Sequence, residues 1–472
     1  VARVLIVGGG VVGLSVAMLL GRDGHEVTVL ERDAQAPPDN PREAWEEWER
    51  RGVNQFRMLH FFLPRFRALI EAELPDVARE LDAAGALRMN NVTLAPDEVT
   101  GGPRAGDDLF ENITARRPVA ESAVARAAAN APNVEIRRGI AVEALLEGTS
   151  TRAGVPHVAG VRTESGEELR ADLVIDAAGR RSALPALLTA LGGRAPEEEL
   201  DDCGFVYWGR HFRSSDGSTP PIIAPLLSHY GSVSILTLPA DNGTWGVGVV
   251  TSASDSVLRA LKDVDVWTRT VKSFPLIAHW LDGEPIDDRI AIMAKIEDRH
   301  RDYVVDDAPI VTGVLSVGDS WACTNPSVGR GASIGMLHAV ALRDLLRVGS
   351  IDDPQGMAQR WHFVTQEQVE PWYRSTLAFD RHRLGEIHAE IAGVPYEFDD
   401  PTWEITQALQ YGSMQDPDVF RAFLKVAGLI APPEEVLAEP GMFERIVAAG
   451  GEWRDAPVLG PSRDDLLKIV AA

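Results

Sequence analysis

An α/β fold, α+β over the whole chain, is predicted by three features of this sequence. Near its start a β-branched run leads through closely spaced glycines into an apolar helix and a second strand, the order of a parallel sheet with crossover helices. Beyond residue 190, apolar and polar residues alternate as in antiparallel strands. From Asp353 onward Trp, Glu and Arg recur at helical spacing.

The first strand is Val4-Leu-Ile-Val7, and residues 14–20 continue as a small-residue, apolar helix. Between them stand Gly8, Gly10 and Gly13, a G-x-G-x-x-G motif in the strand-turn-helix context that gives it meaning. Gly8 permits a tight turn, Gly10 lets the backbone approach a pyrophosphate, and Gly13 lets the helix lie close on the sheet. The amides of Val11 and Val12 then sit at the positive end of the helix, where a diphosphate is favoured. A second strand, Glu26-Val-Thr-Val-Leu30, ends at Glu31 and Arg32. A carboxylate at Glu31 accepts hydrogen bonds from adenosine ribose hydroxyls and repels a 2′-phosphate. Glycines and an acid leave NAD and FAD both open.

The carboxyl half supplies the discriminating residues. Residues 308–317 read as one buried strand, followed by Gly318-Asp319-Ser-Trp321-Ala and then Asn325-Pro326-Ser-Val-Gly329-Arg330-Gly331. An apolar helix follows from Ala332 to about Leu346. Asp319 at the strand end suits a polyol hydroxyl, and the amides around Gly329, Arg330, Gly331 and Ala332 suit negative charge on a ring system. With these motifs the sequence resembles the flavin-dependent aromatic hydroxylase superfamily, whose type member is para-hydroxybenzoate hydroxylase. The resemblance implies a Rossmann-type FAD-binding domain with a three-layer ββα sandwich and non-covalent FAD. It implies that Gly318-Asp319 contacts the ribityl chain and that the loop from Pro326 to Gly331 lies beside the isoalloxazine.

Other segments extend the resemblance over residues 1–345. Arg51-Gly-Val-Asn-Gln55 matches an element whose arginine reaches the FAD phosphates or adenosine, and Gln55, Arg57 and His60 continue a pattern of bacterial members. Met58 replaces a histidine often found there, so no role is carried over to it. Arg117-Pro-Val-Ala-Glu121 resembles the helix start near the flavin, with Ala120 in place of leucine. Asp172-Leu-Val-Ile-Asp176-Ala-Ala178-Gly179 resembles the third fingerprint, but Ala178 stands where hydroxylases that take NAD(P)H directly carry Asp. NADH or NADPH is therefore expected as electron source either directly or through a separate flavin reductase.

The expected division is FAD-binding segments 1–87, 113–189 and 296–350, interleaved with a substrate-domain insertion 88–112 and an antiparallel substrate sheet 190–295, then a helical cap 351–472. Residues 156–179 read as a β-meander around Glu164-Ser-Gly166. Residues 232–238 and 244–250 read as a hairpin joined through Asp241-Asn-Gly243, with residues 205–212 as a further strand, and this sheet is expected to roof the flavin. Gly393-Val-Pro395 and Ala431-Pro-Pro433 interrupt the helical region.

Composition bounds the rest. A formal net charge of −24 over 472 residues disfavours nucleic acid and anionic membranes as partners. Cys203 and Cys323 lack metal or dithiol spacing and read as reduced thiols of a cytoplasmic enzyme. The apolar start contains Gly8, Gly9, Gly10 and Gly13 and leads straight into another strand, so neither a signal peptide nor a membrane span is expected. The resemblance implies a monooxygenase that uses molecular oxygen, through a flavin C4a-hydroperoxide, to hydroxylate or epoxidise a small aromatic or apolar substrate. A flavin dehydrogenase or reductase is the alternative, and a non-catalytic flavoprotein or a halogenase ranks below it; no Trp-x-Trp-x-Ile-Pro element is present. No catalytic triad is required, because the cofactor carries the chemistry. The side chains placed to meet flavin or substrate are Trp321, Asn325, His60, Tyr207, Arg210 and His229.

Overall fold

A five-stranded parallel sheet forms the centre of the fold, in the order Val314–Ser316, Leu173–Asp176, Arg3–Val7, Glu26–Glu31 and Val134–Arg138. The computed structural model describes residues 1–150 and 152–472. Alternation along the first strand explains the layering. Val4 and Ile6 enter a core with helices Val11–Arg22, Arg117–Ala129 and Gly331–Val348, whereas Leu5 faces the other way. Leu5 packs with Leu145, Val158 and Val161 of an antiparallel meander made of Val142–Glu147, Val158–Thr163 and Glu168–Arg170. The result is the expected ββα sandwich. Helix Arg117–Ala129 buries Ala120, Ala123, Ala127 and Ala128, whose small side chains let it lie close to the sheet and its neighbours.

The second sheet is antiparallel, as the alternation demands. Leu227–Tyr230, Val233–Pro239, Thr244–Ser252 and Phe205–Arg213 pair in that order, and Ala291–Met293 adds to the last. The hairpin turn places Asn242 at φ +52° and Gly243 at φ +66°, the left-handed pair that an Asn-Gly sequence tolerates. This turn is also an anchor. Asp241, fully buried, receives the Arg116 backbone N–H at 2.7 Å and its guanidinium at 2.7 Å, which fastens the hairpin to the start of helix Arg117–Ala129. One face of the sheet is floored with glycine: a Cβ at Gly209 or Gly246 would fall 2.7 or 2.6 Å from the Leu59 side chain. Leu59 therefore sits against bare backbone. The other face is sealed by Trp267 and Trp280, whose surroundings include the final helix Arg463–Ala471 through Leu466 and Val470.

Two expectations change. Residues 308–317 are not one strand, because the chain turns at Gly313, where a Cβ would lie 2.1 Å from the Val158 carbonyl oxygen. Only Val314–Ser316 joins the parallel sheet. The helical region is not a single cap either. Trp361 of helix Pro354–Gln368 belongs to the nucleotide-side core and donates Nε1–H to the Ser316 carbonyl, while the last helix belongs to the antiparallel sheet. Helices Pro401–Gly412 and Pro417–Ala427 are the part that covers the interior cavity. Among the described residues no helix is long and apolar enough to cross a membrane.

Candidate functional site

A cavity of about 830 Å³ runs from the glycine turn at Gly8 to helices Pro401–Gly412 and Pro417–Ala427. At its first end Gly8 adopts φ +112°, and a Cβ there would fall 2.3 Å from the Ala177 carbonyl oxygen, so the turn requires glycine. Nothing lies within 4 Å of where a Gly10 Cβ would stand. Gly10, Val11 and Val12 line the cavity, and Gly10 caps helix Val11–Arg22 with no side chain, so the first amides of the helix are left to a ligand. Gly13 does not line the cavity; a Cβ on it would meet the Gly8 carbonyl oxygen at 2.1 Å, so its role is the close approach of helix to turn.

Glu31 and Arg32 both line this end. The Glu31 carboxylate is buried and accepts from the amides of Gly9 and Asp33, each at 2.9 Å, and from Arg50 Nη2 at 2.5 Å. Arg50 is the hub: it also donates to Glu121 at 2.7 Å and to Asp33 at 3.2 Å. Burial alone would lower the Arg50 pKa, but Glu121 and Glu31 outweigh it and hold the guanidinium charged. Glu121 is itself penalised by burial and held below the usual carboxylate range by Arg117 and Arg50. The expected arginine was Arg51. The structure places Arg51 exposed and off the cavity, because the neighbouring Arg50 turns inward, where three carboxylates compensate a buried guanidinium. Arg117 and Gln55 do line the cavity.

Asp319 marks the middle of the cavity. It lines the wall, burial raises its pKa, and among the described residues no protein group hydrogen-bonds its carboxylate. Its turn is held from behind. Gly318 N–H donates to His338 Nδ1 at 3.0 Å, which leaves His338 Nε2–H for Thr365 Oγ1 at 3.2 Å. Burial depresses the His338 pKa to about 3, so the ring stays neutral, and it stacks on Trp361 at 4.5 Å. Ala178 and Gly179 lie opposite, and Gly179 N–H donates to Ser320 Oγ at 2.8 Å. Trp321 is buried at the wall, edge-on to His338 at 5.2 Å.

The loop 325–331 closes the third side. Pro326, Gly329, Arg330, Gly331 and Ala332 line the cavity, and helix Gly331–Val348 starts there without a side-chain cap. Asn325 faces away from the cavity. Its side chain accepts from the Tyr207 hydroxyl at 2.6 Å and donates to Asp380 at 3.2 Å, while its backbone N–H donates to Asp298 at 2.8 Å. Ser327 adds a 2.6 Å bond to the same Asp380 oxygen, and the other oxygen has no partner. Burial pushes Asp380 up to about 7, and burial brings the nearby Arg330 down to about 10. Tyr207, His60 and His229 reach the cavity wall. Burial and the Arg117 charge depress His60 to about 3, so it is a neutral wall residue. Arg210 does not reach the wall; its Nε–H is spent on the Asp287 carbonyl at 3.0 Å.

The residues fit FAD on their own geometry. An unpartnered, desolvated carboxylate at Asp319 calls for hydroxyl donors, and open space beside Gly10, Gly179 and Gly331 leaves room where side chains would intrude. The residues that sequence reasoning did not single out are Arg50, His338, Asp380 and the walls from residues 401–427. His338 lies in an apolar helix and Asp380 in a charged one, so neither carried a local signal.

Comparison with known proteins agrees with this geometry. The family described as FAD dependent oxidoreductase matches residues 3–40. Protein Rv3254 of Mycobacterium tuberculosis is 30% identical over 363 residues, covering 73% of this chain and 72% of its own length. Among solved structures, the fold is shared with pqsL, a probable FAD-dependent monooxygenase from Pseudomonas aeruginosa, at TM-score 0.58 and 17% identity over 90% of this chain and 99% of that one. It is shared also with 2-methyl-3-hydroxypyridine-5-carboxylic acid oxygenase at TM-score 0.55 and 17% identity, over 82% of this chain and 93% of that one. The Diels-Alderase PyrE3 has the same fold at TM-score 0.57 and 18% identity, over 91% of this chain and 81% of that one. Identity and coverage place the chain in the family that contains Protein Rv3254, and its first residues match the FAD dependent oxidoreductase family.

Proposed function

We propose that this protein is a monooxygenase that inserts one atom of molecular oxygen into a small apolar or aromatic molecule, by hydroxylation or epoxidation. The observation that carries the reading is the continuity of the cavity, in which a polar dinucleotide cradle opens past loop 325–331 into an apolar chamber. Bound FAD supplies the electron transfer and oxygen activation. The chain's own residues bind, orient and keep dry. Glu31 and the amides after Gly10 take the adenosine diphosphate end, and Asp319 takes hydroxyls of the ribityl chain. The uncapped amides of Gly331 and Ala332 line the cavity and would favour negative charge on a ring bound beside them. Leu236, Leu238, Phe423 and Leu424 wall the chamber against water, which protects reactive species from side reactions. NADH or NADPH is the electron source, directly or through a separate flavin reductase, and Ala178 in place of an acid favours the second route.

The test is an incubation of the FAD-loaded protein under heavy-isotope dioxygen. NADH and NADPH are supplied in turn, with and without a flavin reductase, to a panel of neutral bicyclic aromatics. One labelled oxygen in a product, seen by mass spectrometry, is the expected result. Steady reduction of an artificial acceptor with no label in any product would make the protein a dehydrogenase or reductase.

A further inference from the structure

Every charged side chain on the cavity wall comes from the segments that build the nucleotide half: Glu31, Arg50, Arg117, Asp319 and Arg330 are among them. Residues 88–112, 190–295 and 351–472 also contribute to the wall, and none of their described lining residues is Asp, Glu, Lys or Arg. An anion in that chamber would be desolvated with no counter-charge on these walls, the nearby Arg383 being already paired with Glu386, a penalty of several kcal/mol. The chamber also reaches the surface through apolar residues. Leu94, Ile223 and Met414, from three separate segments, line it and are 43%, 56% and 43% exposed.

One neutral hydrogen-bonding group in this chamber has a settled direction. Arg383 Nε–H donates to Ser234 Oγ at 3.1 Å, and that oxygen lies 2.9 Å from His229 Nδ1. Among the described residues the Ser234 hydroxyl has no acceptor other than Nδ1, so its hydrogen turns there and the imidazole hydrogen sits on Nε2. Nε2 has no protein hydrogen-bond partner among the described residues, and His229 lines the cavity. Burial and the neighbouring Arg383 charge hold His229 well below the ordinary imidazole range, so it stays neutral. Phe379 lies against it at 6.1 Å and also lines the chamber.

From this arrangement we infer that the substrate is an uncharged, apolar molecule whose carbonyl or hydroxyl oxygen accepts a hydrogen bond from His229 Nε2–H, and that His229 is a specificity-determining residue. The inference rests on the reading that this chamber holds the substrate. It does not depend on oxygen insertion.

The test uses the oxidised, FAD-loaded protein with no electron donor, so that only binding is read. Three naphthalenes of one size serve as probes, followed by fluorescence: 2-acetylnaphthalene, 2-ethylnaphthalene and 2-naphthoate. The ketone should bind about fivefold tighter than the ethyl compound, the worth of one hydrogen bond. It should bind at least about tenfold tighter than the carboxylate, from the cost of an unpaired buried anion. His229→Phe should abolish the preference for ketone over ethyl while leaving the bias against the carboxylate. Gln410→Arg, which adds a cation to the wall, should recover carboxylate binding. Equal or tighter binding of 2-naphthoate by the unaltered protein overturns the inference, as does failure of all three probes to bind. A ketone preference that survives His229→Phe overturns the assignment of His229. Loss of oxygen insertion with these binding results intact would overturn the monooxygenase reading alone.

Discussion

The two ends of the cavity are built on opposite rules. At the nucleotide end, charge answers charge: Arg50 is bonded to Glu31, Asp33 and Glu121, and Glu121 in turn to Arg117. At the chamber end the wall is apolar or neutral, with His229, Tyr207 and Gln410 among its uncharged polar groups. The first end recognises a ligand by prearranged donors and acceptors; the second selects by refusing charge. A preformed polar site pays off only if every buried group is satisfied, which is why the nucleotide end is a network rather than a set of independent contacts.

The sharpest way to break this comparison is Arg50→Met. It leaves three carboxylates facing one another in a buried site, and should cost about 3–5 kcal/mol of stability and most bound FAD. Denaturant unfolding and flavin content read both. Arg51→Ala, one residue away but exposed, should change stability by no more than about 0.5 kcal/mol. A reversal of the two would return the role to Arg51.

Asp380 lies at the boundary between the two ends, on helix Glu370–Ala392 beneath loop 325–331. Its carboxyl is raised by burial from 3.8 to about 7, so the folded protein holds this proton where the unfolded chain has lost it. The native state then binds more protons between about pH 4 and pH 7, and the Asp380 contribution to stability falls as pH rises through that window and levels off above it. Asp380→Asn should remove that slope and leave the variant more stable than the parent at pH 8 by a few kcal/mol, measured by unfolding across pH. An unchanged slope would show that Asp380 is ionised throughout.

A smaller effect of opposite sign to Arg50→Met is expected at Asp319. Its carboxylate is desolvated without a partner, so Asp319→Asn should stabilise the FAD-free protein by about 1 kcal/mol while weakening FAD binding about tenfold. Thermal unfolding of apoprotein and a flavin titration give the two numbers. Loss of stability in the apoprotein would mean that Asp319 has a structural partner.

The same contrast explains what the sequence disclosed. Gly8, Gly10, Gly13 and Glu31 lie close together along the chain and act through backbone geometry, so their spacing is itself the signal. The hairpin through Asn242 and Gly243 was legible for the same reason. Arg51 was expected at the cavity, whereas Arg50 is the one that turns inward, because an arginine pair offers two candidates and only burial among carboxylates distinguishes them. His338, Asp380 and the chamber walls were not legible, since they depend on side chains from distant helices whose facing is fixed by packing rather than by local pattern. The turn at Gly313 likewise needed knowledge of Val158 on another strand.

The clasp between Arg116 and Asp241 has a bearing on traffic in and out of the protein. It joins the antiparallel roof to the nucleotide floor through a buried ion pair, so prising the two apart would strand a charge on each side at a cost of several kcal/mol. Swinging the roof open is thus the expensive route. The other doorway is the rim at Leu94, Ile223 and Met414, where a greasy visitor meets apolar side chains already exposed to water.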